Sequence, residues 1–184
     1  MNGSPRLTVA QTDELGSERM AGLTALCEAA FEVPFAPVWE RVGPGIHVIA
    51  DLGGRPVAHA MVVDRTLHVG PDESVTVDTG YVENVATAPD RHGEGLGSVV
   101  MGEIGRIIGE AYALGALATG SPAFYTRLGW TTWSGPTWVR MPDGQRVRSA
   151  EQDGNIMVLR TPTTASTLDP SMPIAVDWRP GESW

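Results

Sequence analysis

The sequence predicts a mixed α/β domain, and three observations carry that prediction. Short strands separated by tight turns run from Ile46 to Thr87. A glycine-rich junction then passes from strand to helix within Tyr81–Val100, YVENVATAPDRHGEGLGSVV. After it comes a strand–helix–strand run. Strands joined by short turns pair antiparallel, whereas a strand–helix–strand run closes as a right-handed crossover.

Each element follows from local pattern. Arg6–Ala10 alternates as a short strand. Ser17–Phe31 is a helix, with Met20, Leu23, Leu26, Cys27, Ala30 and Phe31 recurring at three and four. Val33–Pro44 carries Pro34 and Pro37, so a loop is expected with one helical turn near Val38–Val42. Ile46–Asp51 and Pro56–Val69 form a hairpin across Leu52–Arg55. Gly70–Ser74 turns the chain again, and Val75–Thr87 is the next strand. Pro89-Asp90 breaks that strand. Leu96, Val100, Ile104, Ile107, Ile108 and Ala111 then give a helical stripe from Gly95 to Tyr112. Gly102, Gly105 and Gly109 weaken that helix intrinsically, and close packing on a sheet is the expected reason for them. Leu114–Ala118 is a short buried strand. Ser121 and Pro122 open a helix that runs to Leu128 and stops at Gly129. Trp130–Val139 and Asn155–Arg160 are strands around a polar segment, and 161–184 is a proline-rich tail with little periodicity.

With 184 residues, 42% hydrophobic and 19% charged, the chain reads as one domain spanning 1–184. A formal net charge of −9 argues against nucleic-acid binding, which needs a basic stripe. It suits a cationic small molecule, although acidity also serves solubility. A single cysteine, Cys27, excludes an intrachain disulfide and a cysteine metal site. Its place in an apolar helical run reads as a buried small hydrophobe. His47, His59 and His68 lie on strands without metal spacing, so no metal is expected. The N-terminus lacks a signal-peptide core and no apolar run reaches spanning length, which points to the cytoplasm and away from a membrane.

The chemistry centres on His92-Gly93-Glu94-Gly95-Leu96-Gly97. Alternating glycines before a helix let backbone N–H groups approach an anion, and the helix N-terminus adds partial positive charge. A phosphate or pyrophosphate is the natural guest. The pattern is neither a Walker loop nor the dinucleotide fingerprint, and a plain helix-packing turn is the bland alternative.

These residues resemble the acetyl-CoA motif [QR]-x-x-G-x-[GA] of the GCN5-related N-acetyltransferase (GNAT) family, with His92 in place of Gln or Arg. Phe124–Trp130, FYTRLGW, matches the family's Y-x-x-x-G-[WF] pattern. GYVENVA, AYALGALA, FYTRLGWTTWSGPTWV, QDG and the ending DWRPGESW are similar to the aminoglycoside 2′-N-acetyltransferases, from about Leu7 to Trp184. The resemblance implies a GNAT fold, a mixed and mostly antiparallel sheet with a central splayed strand pair and flanking helices. It implies acetyl-CoA as co-substrate, with pantetheine along Val85, Ala86 and Thr87 and pyrophosphate over His92–Gly97. It implies Glu83 as general base acting through water, Tyr125 as general acid and, family members often being dimers, a homodimer. In an ideal strand Glu83 and Val85 share a face, which would set the carboxylate beside the cofactor.

For the acceptor, the resemblance points to the 2′-amine of an aminoglycoside antibiotic, hence to resistance. Trp184, the last residue of the sequence, brings an indole and an α-carboxylate, and 161–184 would fold back to the acceptor site with Trp178 anchoring it. Relatives carry aspartates where this chain has Pro34, Val38 and Gln152, with Glu151 remaining beside Gln152 and Asn84 beside Glu83. Fewer acids suit a less cationic acceptor such as kasugamycin. The alternatives are a transferase acting on a polyamine or metabolite amine, and a non-catalytic acyl-CoA-binding sensor.

Overall fold

The computed structural model describes residues 4–184. Its strands are β1 (Arg6–Gln11), β2 (Ile46–Leu52), β3 (Arg55–Val69), β4 (Val75–Thr87), β5 (Leu114–Ala118), β6 (Thr131–Thr132), β7 (Thr137–Arg140), β8 (Arg146–Arg148), β9 (Ile156–Arg160) and β10 (Ile174–Asp177). Its helices are α1 (Ser17–Phe31), α2 (Ala36–Val42), α3 (Leu96–Ala111) and α4 (Pro122–Thr126). The chain gathers into two compact units, Met1–Val63 with Val82–Arg106, and Asp64–Tyr81 with Ile107–Trp184. Strands β3 and β4 each give one half to each unit.

In the first unit, β1 pairs antiparallel with β2, and β2 with the first half of β3. Gly53 and Gly54 turn that hairpin with φ of +61° and +83°, backbone angles that glycine adopts without strain. Leu23, Leu26 and Cys27 of α1 are buried, and so are Val57–Val63 of β3. Burial pushes the Cys27 thiol up to about 12, so it stays protonated as an inert apolar filler. Helix α2 is longer than the single turn expected. Pro37 sits in its first turn, where no backbone N–H is required, so it starts the helix instead of breaking it. Val38 therefore lies on a helix.

In the second unit the strand path is β6-β9-β5-β4-β3-β10-β7-β8. The crossover from β4 to β5 is parallel, with Thr79 opposite Leu114. Three expectations are corrected here. The Trp130–Val139 strand is split into β6 and β7 by Trp133–Pro136. The polar segment holds β8, and the tail holds β10, which lies between β3 and β7 with Ile174, Ala175 and Val176 fully buried. Helix α4 ends at Thr126, short of Leu128, although Gly129 takes the expected left-handed φ of +89°. Ser121 makes no side-chain cap.

Glycine placement inverts another expectation. A Cβ on Gly102 or Gly109 of α3 would meet nothing within 4 Å, so close packing does not account for them. The tight positions are on the strands. A Cβ on Gly80 would lie 2.7 Å from the Tyr112 ring, and one on Gly115 would lie 3.1 Å from Ile108, Leu159 and Trp130.

Candidate active site

Strand β4 is buried from Thr79 to Val82 and becomes half-buried at Glu83. The next residue, Asn84, has φ +55°, a left-handed backbone in mid-strand. Asparagine tolerates this better than most residues but still needs support. The support comes from β3, where period-two alternation puts His59 and Met61 on one face. His59 Nδ1 lies 2.9 Å from the Asn84 carbonyl oxygen, and the Asn84 side-chain amide donates to Met61 Sδ at 3.4 Å. Both supporting side chains are fully buried. The ladder resumes beyond the kink, where Ala88 N–H donates to the Val57 carbonyl at 2.8 Å. The kink overturns the argument that Glu83 and Val85 share a face, because that argument requires an unbroken pleat. The Asn84 amide, expected to meet the acceptor, is engaged with Met61.

After the kink, Val85 and Thr87 are half-buried and Ala86 is buried. A 3-10 turn at Pro89–Arg91 leads into the glycine turn. Gly93 and Gly95 have φ of +85° and +79°, and a Cβ on either would meet nothing within 4 Å. Backbone conformation, not crowding, requires glycine there. The open backbone leads straight into the first turn of α3, whose N–H groups have no intrahelical acceptors. Buried Leu96 fixes the start of that helix, followed by the partly exposed Gly97. This geometry fits a pyrophosphate. His92 is exposed and its Nε2 lies 3.2 Å from the Thr87 carbonyl, so its ring braces the turn. Arg91 pairs with Glu94 at 3.4 Å.

The second unit holds Tyr125, Glu151, Gln152 and Trp184. Tyr125 is buried on α4, edge-on to Phe124 and Trp130. Burial raises its phenol, an effect partly offset by a hydrogen bond with Thr119. The hydroxyl therefore keeps its proton. Trp184 is 7% exposed, and its indole N–H donates to the Ser149 hydroxyl at 2.9 Å. Arg65 ties down the same tail, donating to the carbonyls of Ser183 (2.6 Å) and Asp177 (2.7 Å). Trp178 is 43% exposed, so its ring does not anchor the tail as expected. Ser149 directly precedes the 3-10 turn Ala150–Gln152, which carries exposed Glu151 and half-buried Gln152. Asp153 fixes the end of that turn by pairing with Arg148 and accepting from the Thr137 N–H and hydroxyl, both at 2.9 Å. Trp184, Glu151 and Gln152 are thus brought into one neighbourhood.

Pro34 is exposed in the link between α1 and α2, and Val38 is half-buried. Phe31, Phe35 and Trp39 form a ladder of rings with centroids 5.4 Å and 4.9 Å apart. Trp39 then meets His59 edge-on at 5.7 Å. His59, Met61, Ser149 and Arg65 were not singled out as site residues by sequence. Their partners are backbone atoms, a sulfur and a distant tail, none of which leaves a pattern; the one visible signal was histidine inside apolar strands. Among the described residues, no group of three or more His, Cys, Asp or Glu side chains is placed to hold a metal, and no single helix is long and apolar enough to cross a membrane.

A mixed sheet interrupted beside a carboxylate, followed by a glycine turn and a helix start, is the arrangement expected of an acyltransferase of the acetyl-CoA-using type. Residues 11–133 match the acetyltransferase (GNAT) domain family. The chain is 36% identical over 177 residues to the aminoglycoside 2′-N-acetyltransferase of Mycolicibacterium fortuitum, covering 94% of this chain and 89% of that one. Its fold is similar to that of the Escherichia coli GNAT family N-acetyltransferase YhbS, solved in complex with CoA (TM-score 0.66, 16% identity, 97% of this chain and 92% of that one). It is also similar to the Escherichia coli ribosomal-protein-S18-alanine N-acetyltransferase (TM-score 0.58, 17% identity, 89% and 99%). The chain belongs to the GNAT acetyltransferase family.

Proposed function

We propose that this chain transfers an acetyl group from acetyl-CoA to the 2′-amine of an aminoglycoside, a modification that confers antibiotic resistance. The observation that carries the reading is the 36% identity to an aminoglycoside 2′-N-acetyltransferase across 94% of the chain. Acetyl-CoA supplies an activated thioester, with its pantetheine along Val85–Thr87 and its pyrophosphate over His92–Gly97.

The remaining work falls to side chains. An amine arrives as an ammonium and must lose a proton before its lone pair can attack. Glu83 takes that proton through water. The departing sulfur needs a proton as the carbon–sulfur bond breaks, and Tyr125, kept protonated by burial, supplies it. Acetylation removes a positive charge from the drug and so weakens its attraction to RNA phosphates.

For the acceptor, the resemblance to aminoglycoside 2′-N-acetyltransferases leads us to expect acids at the positions that Pro34, Val38 and Gln152 occupy. Each missing ion pair to an ammonium weakens binding by about 1 kcal/mol. That favours an acceptor with fewer charges, such as kasugamycin, with Glu151 and Trp184 beside it. The test is a panel. The protein is incubated with acetyl-CoA and kasugamycin, gentamicin or tobramycin, CoA release is followed, and the acetyl group is located by mass spectrometry and NMR. Kasugamycin is expected to react at least tenfold faster per unit concentration, the equivalent of about 1.4 kcal/mol. Equal turnover of the three drugs would remove the kasugamycin assignment. Turnover of polyamines alone would remove the aminoglycoside.

A further inference from the structure

The GNAT reading uses Glu83 and the strand after it, but not the buried histidines. His47 and His59 are 1% and 0% exposed, and they form a continuous chain. Thr12 Oγ1 lies 2.9 Å from His47 Nε2, His47 Nδ1 lies 2.9 Å from His59 Nε2, and His59 Nδ1 lies 2.9 Å from the Asn84 carbonyl. The polarity of this chain follows from its far end. A carbonyl only accepts, so His59 Nδ1 carries a proton and donates. Burial lowers His59 to about 3 and His47 to about 4, so both rings are neutral at neutral pH. His59 Nε2 is then bare and accepts from His47 Nδ1–H. His47 Nε2 is bare in turn and accepts from the Thr12 hydroxyl, which itself accepts from the Gly45 N–H at 2.9 Å. The one Thr12 hydroxyl proton therefore goes to His47 at 2.9 Å and not to the Gly45 carbonyl at 3.1 Å, which the Thr12 backbone N–H already holds at 3.1 Å, and every ring nitrogen is satisfied.

The end of this chain is not a proton carrier, because a peptide carbonyl is a poor base. It is a clamp. The Asn84 carbonyl belongs to the same planar peptide unit as the Val85 N–H, and in a trans peptide the two point in opposite directions. Holding the carbonyl toward His59 therefore aims the Val85 N–H away from β3. The same bond keeps Asn84 left-handed between Glu83 and Val85. Trp39 covers both imidazoles, with ring centroids 5.8 Å from His47 and 5.7 Å from His59, and its indole N–H is held by the Thr24 hydroxyl at 3.0 Å.

We propose that His59, its tautomer fixed by His47 and Thr12, is a positioning residue for the transfer: it clamps the Asn84–Val85 peptide so that Glu83 and the Val85 N–H keep their working directions. This rests on the reading of Val85–Thr87 as the cofactor strand.

The two amide side chains separate the two ends of the ring. Asn places a donor where Nδ1 sits, so His59→Asn keeps the bond to Asn84 and loses His47. Gln reaches the Nε2 position, so His59→Gln keeps His47 and loses Asn84. Three quantities are read: stability in urea, CoA affinity by calorimetry, and the Asn84 φ by NMR in the protein without CoA. Both variants are expected to lose stability, each by one broken link. His59→Asn should keep the positive φ and hold CoA within about twofold of wild type. His59→Gln should lose the positive φ and weaken CoA about tenfold, as expected for a lost buried hydrogen bond. A positive Asn84 φ retained in His59→Gln overturns the clamp, as does CoA binding that falls equally in both variants. Wild-type protein that binds no CoA would remove the cofactor reading instead, and the clamp would still stand or fall on the φ.

Discussion

At the scale of single residues, the proposed chemistry rests most on Glu83 as general base. It stands where β4 passes from a buried to a half-buried run, next to a left-handed residue clamped from β3. Glu83→Gln keeps the volume and removes the basicity. Turnover is expected to fall by about 10²- to 10⁴-fold, the range for one general base, while CoA affinity stays unchanged. Parallel loss of both would show a structural role for Glu83. The carboxylate was legible in the sequence because a charge inside an apolar strand is rare. The kink beside it was not legible, since asparagine in a strand does not announce its φ. Nor was the clamp, because the donor and the carbonyl it holds are 25 residues apart.

Elements were legible wherever pattern and punctuation agreed. Helix α1 and strands β4 and β5 fall at the predicted limits, and the glycine turn has the backbone that its motif requires. Strand β10 was hidden because a strand buried on both faces shows a continuous apolar run, not alternation, and IAVD is only four residues. Strand β8 was hidden by its arginines, which suit an exposed edge. Gly135, at the entry to β7, is where the β7–β10 arrangement leaves least room. A Cβ there would lie 1.9 Å from the Met172 carbonyl oxygen, against backbone that cannot swing away. Gly135→Ala is expected to cost about 3 kcal/mol, the upper end for overpacking. Gly102→Ala gives the opposite sign. That helical position is exposed and open, so alanine should add about 0.5–1 kcal/mol by restricting the unfolded chain. Urea midpoints for the two variants should move in opposite directions with little change in slope. A stable Gly135→Ala would mean that the tail does not pack on β7 as described.

At the scale of the whole molecule the informative quantity is charge. The 22 acidic and 13 basic residues leave −9 at neutral pH. Sequence alone could not decide whether that charge serves solubility or substrate capture, because it says nothing of where a ligand approaches. The proposed co-substrates turn the question into an experiment, for one is a polycation and the other a polyanion. A field of this sign accelerates encounter with an aminoglycoside and retards encounter with acetyl-CoA. Screening lengths shrink from about 30 Å at 0.01 M to about 8 Å at 0.15 M salt, so both effects fade over that range. With tobramycin as acceptor, kcat/KM for the drug should fall several-fold as salt rises, while kcat/KM for acetyl-CoA rises. Kasugamycin, with fewer ammonium groups, should give a shallower fall than tobramycin. Opposite slopes for the two co-substrates identify steering, since ordinary salt inhibition would depress both together. Slopes of the same sign would assign the acidity to solubility and leave acceptor choice to the short-range groups at Pro34, Val38, Glu151 and Gln152.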